Sequence, residues 1–194
     1  MSPLDDEQLV RSIAGGQRAS LGTLYARHSR MVKGAVTRFA PEISAAERDE
    51  LVQDIFIAVG ESASRFSRDA SFRSWLYSIA VNKTRKWRRN TWLRRRLLRE
   101  YKGGAVGMAL ETDDCPEETA ILRQQIAAAL HALPVDQREV FVLYAAEGFK
   151  GDEIARMLRI SPATVRTRLH RARQKLLESV ADDSLEPLKE RIRQ

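Results

Sequence analysis

The segment 148–176 constrains the fold of this chain more than any other stretch. It contains two short helical patterns separated by a three-residue turn. Ser161 is a good N-cap, and Pro162 suits the first position of the second helix. After them, apolar residues recur at steps of four, three and four, at Val165, Leu169, Ala172 and Leu176. The pattern predicts a helix-turn-helix whose second helix is presented to DNA.

The opposite face of this second helix is polar and cationic. The residues expected to meet DNA are Arg166, Thr167, His170, Arg171, Gln174 and Lys175. The first helix, over about residues 151–158, is expected to bury Ile154, Ala155 and Leu158. Its Asp152 and Glu153 favour the positive end of the helix dipole.

The composition favours an all-α fold of two small helical domains joined by a flexible linker. Gly and Pro number only 10 and 6, and no run of alternating β-branched residues is present. The single cysteine, Cys115, excludes an internal disulfide and any multi-cysteine metal site. We expect no cofactor. No stretch approaches the roughly 20 apolar residues of a membrane span, and the acidic N-terminus does not resemble a signal peptide. These features predict a cytoplasmic protein without membrane insertion.

The net charge of +7 is unevenly distributed along the chain. Residues 64–102 carry 13 Lys/Arg against 2 Asp/Glu, and residues 161–178 carry 5 against 1. Between them, residues 103–122 carry 5 acidic side chains and no basic one. Two separate contacts with a polyanion are the natural inference.

Gly, Pro and acidic residues mark the domain boundary. We expect an N-terminal domain over 1–102, an acidic linker over 103–117, a C-terminal domain over 118–180 and a tail over 181–194. Within them, helices are predicted in 5–38 with a break near Gly15 and Gly16, then over 44–63, 71–89 and 117–132, and from Pro134 to about Glu147.

The helix over 71–90 combines aromatic and cationic residues. Its expected apolar side carries Phe72, Trp75, Leu76, Ile79 and Trp87, and its opposite side carries Tyr77, Val81, Arg85 and Arg88. Most of the apolar side is expected to be core, including Phe72 and Trp75. The mixture also suits single-stranded nucleic acid, where bases stack on rings and cations follow phosphates. The helix over 44–63 is instead acidic around its apolar stripe, which favours a protein partner.

These segments resemble bacterial RNA polymerase sigma factors. Residues 50–56 (Glu-Leu-Val-Gln-Asp-Ile-Phe), Phe66 and residues 71–82 (Ser-Phe-Arg-Ser-Trp-Leu-Tyr-Ser-Ile-Ala-Val-Asn) are similar to the N-terminal sigma domain. Residues 132–143, followed by 148–175, are similar to the C-terminal one. The length of 194 residues without intervening domains resembles the extracytoplasmic-function (ECF) group.

The resemblance implies three surfaces and a non-enzymatic role in promoter-specific initiation. Docking on the clamp of core RNA polymerase is implied for Leu51, Gln53, Asp54, Phe56 and Ile57. Recognition and melting of the single-stranded −10 element is implied for Phe66, Ser71, Phe72, Asn82, Lys83, Arg85 and Arg88. The helix-turn-helix residues given above would contact the double-stranded −35 element. An anti-sigma factor is a further expected partner.

The sequence departs from the family pattern in the turn of the helix-turn-helix. Arg159 stands where many members have Gly, so either its φ stays negative or modest strain is accepted. Phe149-Lys-Gly-Asp replaces a more usual Ser-Tyr or Thr-Tyr and weakens the start of that helix. The basic run 94–96 is heavier than usual and could add nonspecific affinity for DNA.

Two other functions are compatible with parts of the sequence. A DNA-binding regulator acting without polymerase would need an effector or dimerisation domain, which residues 1–102 do not resemble. An enzyme acting on DNA would need a nucleophile with acid/base or metal partners. His28, His131 and His170 are far apart, no carboxylate cluster has metal-ligand spacing, and Cys115 has no supporting partner.

Overall fold

A computed structural model describes residues 4–67, 70–102 and 117–179. Across these ranges the regular structure is entirely helical, so the predicted all-α class with two helical domains is confirmed. The helices are α1 (Asp6–Ala14), α2 (Ala19–Phe39), α3 (Ala45–Ser62), α4 (Phe72–Lys102), α5 (Glu117–Ala132), α6 (Val135–Phe141), α7 (Gly151–Leu158) and α8 (Pro162–Ser179). A 3-10 turn (Ala63–Arg65) follows α3, and a π-helical turn (Val142–Ala146) continues α6. The linker to residue 116, Cys115 and the tail 181–194 lie outside the described residues.

The chain divides into two compact units. The first comprises Met1–Val36 and Ala45–Gly107, and the second comprises Thr37–Ser44 and Met108–Gln194. The segment Thr37–Ser44, at the end of α2 and just beyond it, therefore groups with the C-terminal helices. Nothing in the sequence predicted that grouping.

In the first unit, local sequence defines the start of α1. The Asp5 carboxylate accepts a hydrogen bond from the Gln8 backbone N–H at 2.7 Å, and the Gln8 side chain accepts one from the Asp5 N–H at 3.0 Å. This reciprocal capping box satisfies two backbone donors at the helix start. The unit's core is apolar and includes Leu9, Val10, Ile13, Leu24, Val32, Leu51, Val52, Ile55, Phe56, Val59, Phe72, Leu76, Tyr77, Ala80 and Val81.

Helix α4 differs from its predicted form in length and in the sides it buries. It continues to Lys102, well past the expected end near Arg89. Tyr77 and Val81, expected opposite the apolar stripe, are each 1% exposed. This expectation was wrong because the helix buries a broad surface, which a single narrow stripe does not describe.

The helix-turn-helix of the second unit forms as predicted. The Ser161 hydroxyl accepts a hydrogen bond from the Thr164 backbone N–H at 3.1 Å, and Pro162 is the first residue of α8. The buried residues of the pair are Ile154, Ala155, Leu158, Val165, Ala172 and Leu176, with Leu169 partly exposed. At the start of α7, Glu153 accepts a hydrogen bond from the Lys150 N–H at 2.9 Å, which compensates for the weak start predicted there.

The turn between α7 and α8 accepts backbone strain at Arg159. Its φ of 55° and ψ of 48° are left-handed, the second of the two options that the sequence left open. The Ile160 N–H donates to the Ala155 carbonyl at 3.0 Å, which closes the end of α7.

We expect Arg159→Gly to raise the free energy of unfolding by about 0.5–1 kcal/mol. The left-handed conformation costs a residue other than Gly about 1–2 kcal/mol, and Gly relieves this strain. Gly also loses more conformational entropy on folding, which offsets about 0.5–1 kcal/mol of that gain. Chemical denaturation measures the change. Gly148→Ala is the matched control, because Gly148 has a φ of 72° and the same balance predicts a loss of about 0.5–1 kcal/mol. A less stable Arg159→Gly variant would contradict the assignment of strain.

Candidate nucleic-acid and partner-binding surfaces

The outer face of α8 carries all six residues predicted for duplex DNA, and all are exposed. They form two rows with a spacing of four residues, Arg166–His170–Gln174 and Thr167–Arg171–Lys175. Successive members of a row are about 6 Å apart along the helix axis. The Thr167 hydroxyl donates to the Ala163 carbonyl at 3.0 Å, so one of its hydrogen bonds stays within the helix.

Two other arginines of α8 are directed toward the preceding elements of the second unit. Arg168 Nε lies 3.1 Å from a carboxylate oxygen of Asp136 on α6. The Arg173 guanidinium lies over the Tyr144 ring at 5.3 Å from its centroid. A count of the cations in α8 does not show which of them face solvent. The structure separates the exposed arginines from those that attach α8 to its own domain.

The predicted −10 residues extend along α4 from the loop before it. Ser71 caps the helix, since its hydroxyl accepts a hydrogen bond from the Ser74 N–H at 3.2 Å. The Phe66 ring is half-buried and lies 5.1 Å from the Trp75 ring. Of the remaining residues, Asn82 is exposed, and Lys83, Arg85 and Arg88 are partly exposed.

Phe72 is the exception in this group. Its side chain is 5% exposed, and its ring lies 5.1 Å from that of His28 on α2. Contact with DNA would require the ring to leave the core, so we assign Phe72 to packing. This burial favours the core interpretation of the helical pattern, and contact of Phe72 with the −10 strand stays a prediction.

The predicted docking residues of α3 fall into two groups. Gln53, Asp54 and Ile57 are exposed, and Ile57 keeps 53% of its surface accessible. Leu51 and Phe56 are 4% and 3% exposed, so they support this face from below and do not line it. The same exposed face carries the carboxylates of Glu50 and Glu61. It is an acidic surface with one large apolar residue near its middle.

Tyr25 of α2 borders this face and was missed from the sequence. Its ring packs edge-on against Phe56, with centroids 5.0 Å apart, yet the residue is 39% exposed. Lys33 Nζ contacts Asp49 at 2.8 Å, and a Cβ on Gly60 would lie 3.3 Å from Leu21, which sets α2 antiparallel to α3. A tyrosine in an apolar helical pattern is expected to be core, so only the helix pairing could reveal its position.

The described histidines do not cluster with enough potential ligands to hold a metal ion. His28 Nε2 lies 2.8 Å from an Asp6 carboxylate oxygen, and the carbonyl of the exposed His131 accepts from Arg138. Within the three described ranges, no group of three His, Cys, Asp or Glu side chains could hold a metal ion. No described helix combines the length and apolarity needed to cross a membrane.

Comparison with known proteins assigns both units to one family. Residues 24–94 match the family described as Sigma-70 region 2, and residues 123–176 match Sigma-70, region 4. The sigma factor NccH of Alcaligenes xylosoxydans xylosoxydans is 34% identical over 181 residues, which cover 90% of this chain and 94% of NccH. The chain belongs to the ECF sigma factors.

Other members of the family align over nearly the whole chain. The sigma factor CnrH of Cupriavidus metallidurans is 32% identical over 196 residues, covering 95% of this chain and 99% of CnrH. The solved structure of CnrH in complex with the cytosolic domain of CnrY has a TM-score of 0.67 at 28% identity, covering 92% of this chain and 98% of that one. The Bartonella quintana sigma factor RpoE, solved with the anti-sigma factor NepR, shares the fold, with a TM-score of 0.63 at 24% identity and coverage of 82% and 98%.

Membership assigns this ECF sigma factor to promoter-specific transcription initiation. The region 2 match includes Tyr25, all of α3 and about the first three-quarters of α4, and therefore both candidate surfaces of the first unit. The region 4 match includes α6, α7 and most of α8.

Proposed function

We propose that this ECF sigma factor directs initiation through three separate surfaces. The exposed face of α3 docks on the clamp of core RNA polymerase, the Phe66 loop and α4 hold the melted −10 strand, and the outer face of α8 contacts the −35 duplex. The observation that carries the proposal is the separation of one acidic, partly apolar face from two cationic ones. Negative charge repels DNA and suits a protein partner, whereas the cationic faces suit phosphates.

The six exposed side chains of α8 support the −35 contact. A recognition helix in the major groove contacts base edges and the flanking phosphates. Arg166 and Arg171 have the geometry for bidentate contacts to guanine, while Lys175 suits a phosphate. Arg168 and Arg173 are assigned to packing, because each already faces a partner in its own domain.

The half-buried Phe66 ring and the polar residues farther along α4 support the −10 contact. A base taken out of the stack needs an aromatic surface and hydrogen-bond partners to offset a cost of a few kcal/mol. Phe66 supplies the ring and Asn82 supplies an amide, while Lys83, Arg85 and Arg88 provide charge for the backbone. Phe72 is left out because it is buried.

For polymerase docking, we assign the direct contacts to Gln53, Asp54 and Ile57, with Tyr25 at the border of the face. A large exposed apolar residue surrounded by polar ones is the usual anatomy of a binding surface. We further propose that an anti-sigma factor binds this chain, since CnrH was solved in complex with the cytosolic domain of CnrY and RpoE with the anti-sigma factor NepR.

Transcription in vitro tests the proposed function. Purified protein is added to core RNA polymerase with a promoter library, and start sites are mapped by sequencing the transcripts. We expect a defined set of start sites that core polymerase alone does not produce. Absence of any new start site would contradict the proposal.

Arg171→Ala separates DNA recognition from polymerase docking. We expect initiation from a selected promoter to fall by roughly 5- to 100-fold, because one arginine contact to a base is worth about 1–3 kcal/mol. Affinity for core polymerase, measured by fluorescence anisotropy, should not change. Arg18→Ala, at an exposed site in the first unit, removes the same charge and should leave initiation within about twofold. Loss of core binding in Arg171→Ala would mean that the domains are misassigned.

A further inference from the structure

Four aromatic rings form a continuous chain from α2 to the loop before α4. The His28 ring lies 5.1 Å from Phe72, Phe72 lies 6.2 Å from Trp75, and Trp75 lies 5.1 Å from Phe66. All three contacts are tilted, with interplanar angles of 52–56°. Such pairs are attractive beyond the area that they bury. The chain therefore connects a helix–helix interface to a residue of the proposed −10 site.

The inner end of this chain is anchored by charge. The Asp6 carboxylate contacts His28 Nε2 at 2.8 Å and Arg27 Nη1 at 3.0 Å. The same Arg27 nitrogen donates to the Leu4 carbonyl at 2.9 Å. Since Asp6 lies on α1 and His28 on α2, the inner end is held by two helices.

Phe72 is the most buried of these four rings. Phe72 is buried, whereas Trp75 and Phe66 are both half-buried. The Phe66 N–H donates to the Ala63 carbonyl at 3.2 Å, which ties the Phe66 backbone to the preceding 3-10 turn. Trp75 is the ring that packs beside the Phe66 side chain.

We propose that Trp75 is a positioning residue that holds the Phe66 ring ready to stack on an unpaired −10 base. This inference rests on the proposed role of Phe66. A ring ordered before binding loses less side-chain entropy when the base arrives. Trp75 acts through Phe66 and need not touch the DNA itself. A tryptophan in an apolar stripe is ordinarily only a core residue. The ring contact with Phe66 distinguishes Trp75 from such a residue.

A double-mutant cycle tests this role in the assembled holoenzyme. The probe is a fluorescent oligonucleotide carrying the non-template −10 strand of a promoter selected by transcription. We expect Phe66→Leu to weaken its binding by about 5- to 100-fold, the usual effect of losing one aromatic stacking partner. Trp75→Leu should weaken it by about three- to tenfold, the scale of one aromatic pair. The double variant should bind within twofold of Phe66→Leu alone.

Three controls separate positioning from folding. Trp75→Phe retains a ring and should recover most of the lost affinity. Core binding and −35 duplex binding by Trp75→Leu should match the unmodified protein. Thermal unfolding of each variant sets an assay temperature at which it is fully folded.

The outcomes distinguish failure of the positioning role of Trp75 from failure of the −10 role of Phe66. If Phe66→Leu binds the oligonucleotide normally, the proposed −10 role of Phe66 fails. If Phe66→Leu is weakened but Trp75→Leu is normal, only the positioning role fails. Multiplicative losses in the double variant, or an equal loss of core binding in Trp75→Leu, would also overturn positioning.

Discussion

Arg138→Ala should lower the free energy of unfolding of the second unit by about 3–5 kcal/mol, the usual cost of removing one partner of a buried ion pair. The Arg138 side chain is only 5% exposed, and that of its partner Glu42 is 14% exposed. Nη1 donates to the Phe39 carbonyl at 3.1 Å and to a Glu42 carboxylate oxygen at 3.3 Å. Nη2 donates to the carbonyls of His131 and Leu133, each at 3.0 Å. One guanidinium therefore satisfies four acceptors.

The positions of these acceptors explain why an arginine is buried here. Phe39 is the last residue of α2, and His131 and Leu133 flank the end of α5 at Ala132. The last carbonyls of a helix lack partners within the helix and carry the negative end of its dipole. Arg138 places a positive charge at two such ends, both within the second unit. Alanine would leave the carbonyls and the Glu42 carboxylate without this donor.

Two variants calibrate the Arg138 prediction. Arg138→Lys keeps the charge but cannot reach four acceptors with one ammonium, so we expect an intermediate loss of about 1–3 kcal/mol. Glu42→Gln keeps an oxygen acceptor and should lose about 1 kcal/mol or less. Denaturation in urea, followed by circular dichroism, measures all three. A change below about 1 kcal/mol in Arg138→Ala would contradict the capping role.

Helical periodicity predicted most of the fold because each helix has one clear apolar side. The Ser161 cap and the stripe of α8 place the helix-turn-helix, and the stripe of α3 places its buried residues. Periodicity did not predict the burial of Tyr77 and Val81, because α4 packs over more of its circumference than one stripe. Periodicity also cannot predict the burial of Arg138, because its acceptor at Phe39 is 99 residues away in the chain.

The candidate surfaces were predicted less completely than the fold. A motif names a segment, but packing decides which of its side chains reach the surface. Leu51 and Phe56 belong to the docking motif yet are buried, while Tyr25 lies outside it and is exposed. In α8, by contrast, all six predicted residues are exposed, and Arg168, which was not among them, is held by Asp136.

Phe72→Ala should lower the free energy of unfolding of the first unit by about 3–5 kcal/mol. Truncating a buried phenylalanine loses the transfer free energy of the ring and leaves a cavity. Phe72 is 5% exposed and packs against His28 and Trp75, so its surroundings have little room to collapse. Phe72→Leu retains most of the apolar volume and should lose about 1.5 kcal/mol or less. Thermal and urea denaturation measure both variants.

Binding of the −10 oligonucleotide by Phe72→Leu distinguishes a packing role of Phe72 from direct contact with DNA. Phe66 and Phe72 are the same residue type, six positions apart on either side of one loop, and only their burial distinguishes them. If Phe72 acts through packing against Trp75, folded Phe72→Leu holoenzyme should lose no more affinity for the −10 strand than Trp75→Leu does. Phe66→Leu should be weakened at the same temperature, since its ring is the one open to solvent. Equal losses from the two substitutions would return Phe72 to the −10 site and require the loop to open when DNA binds.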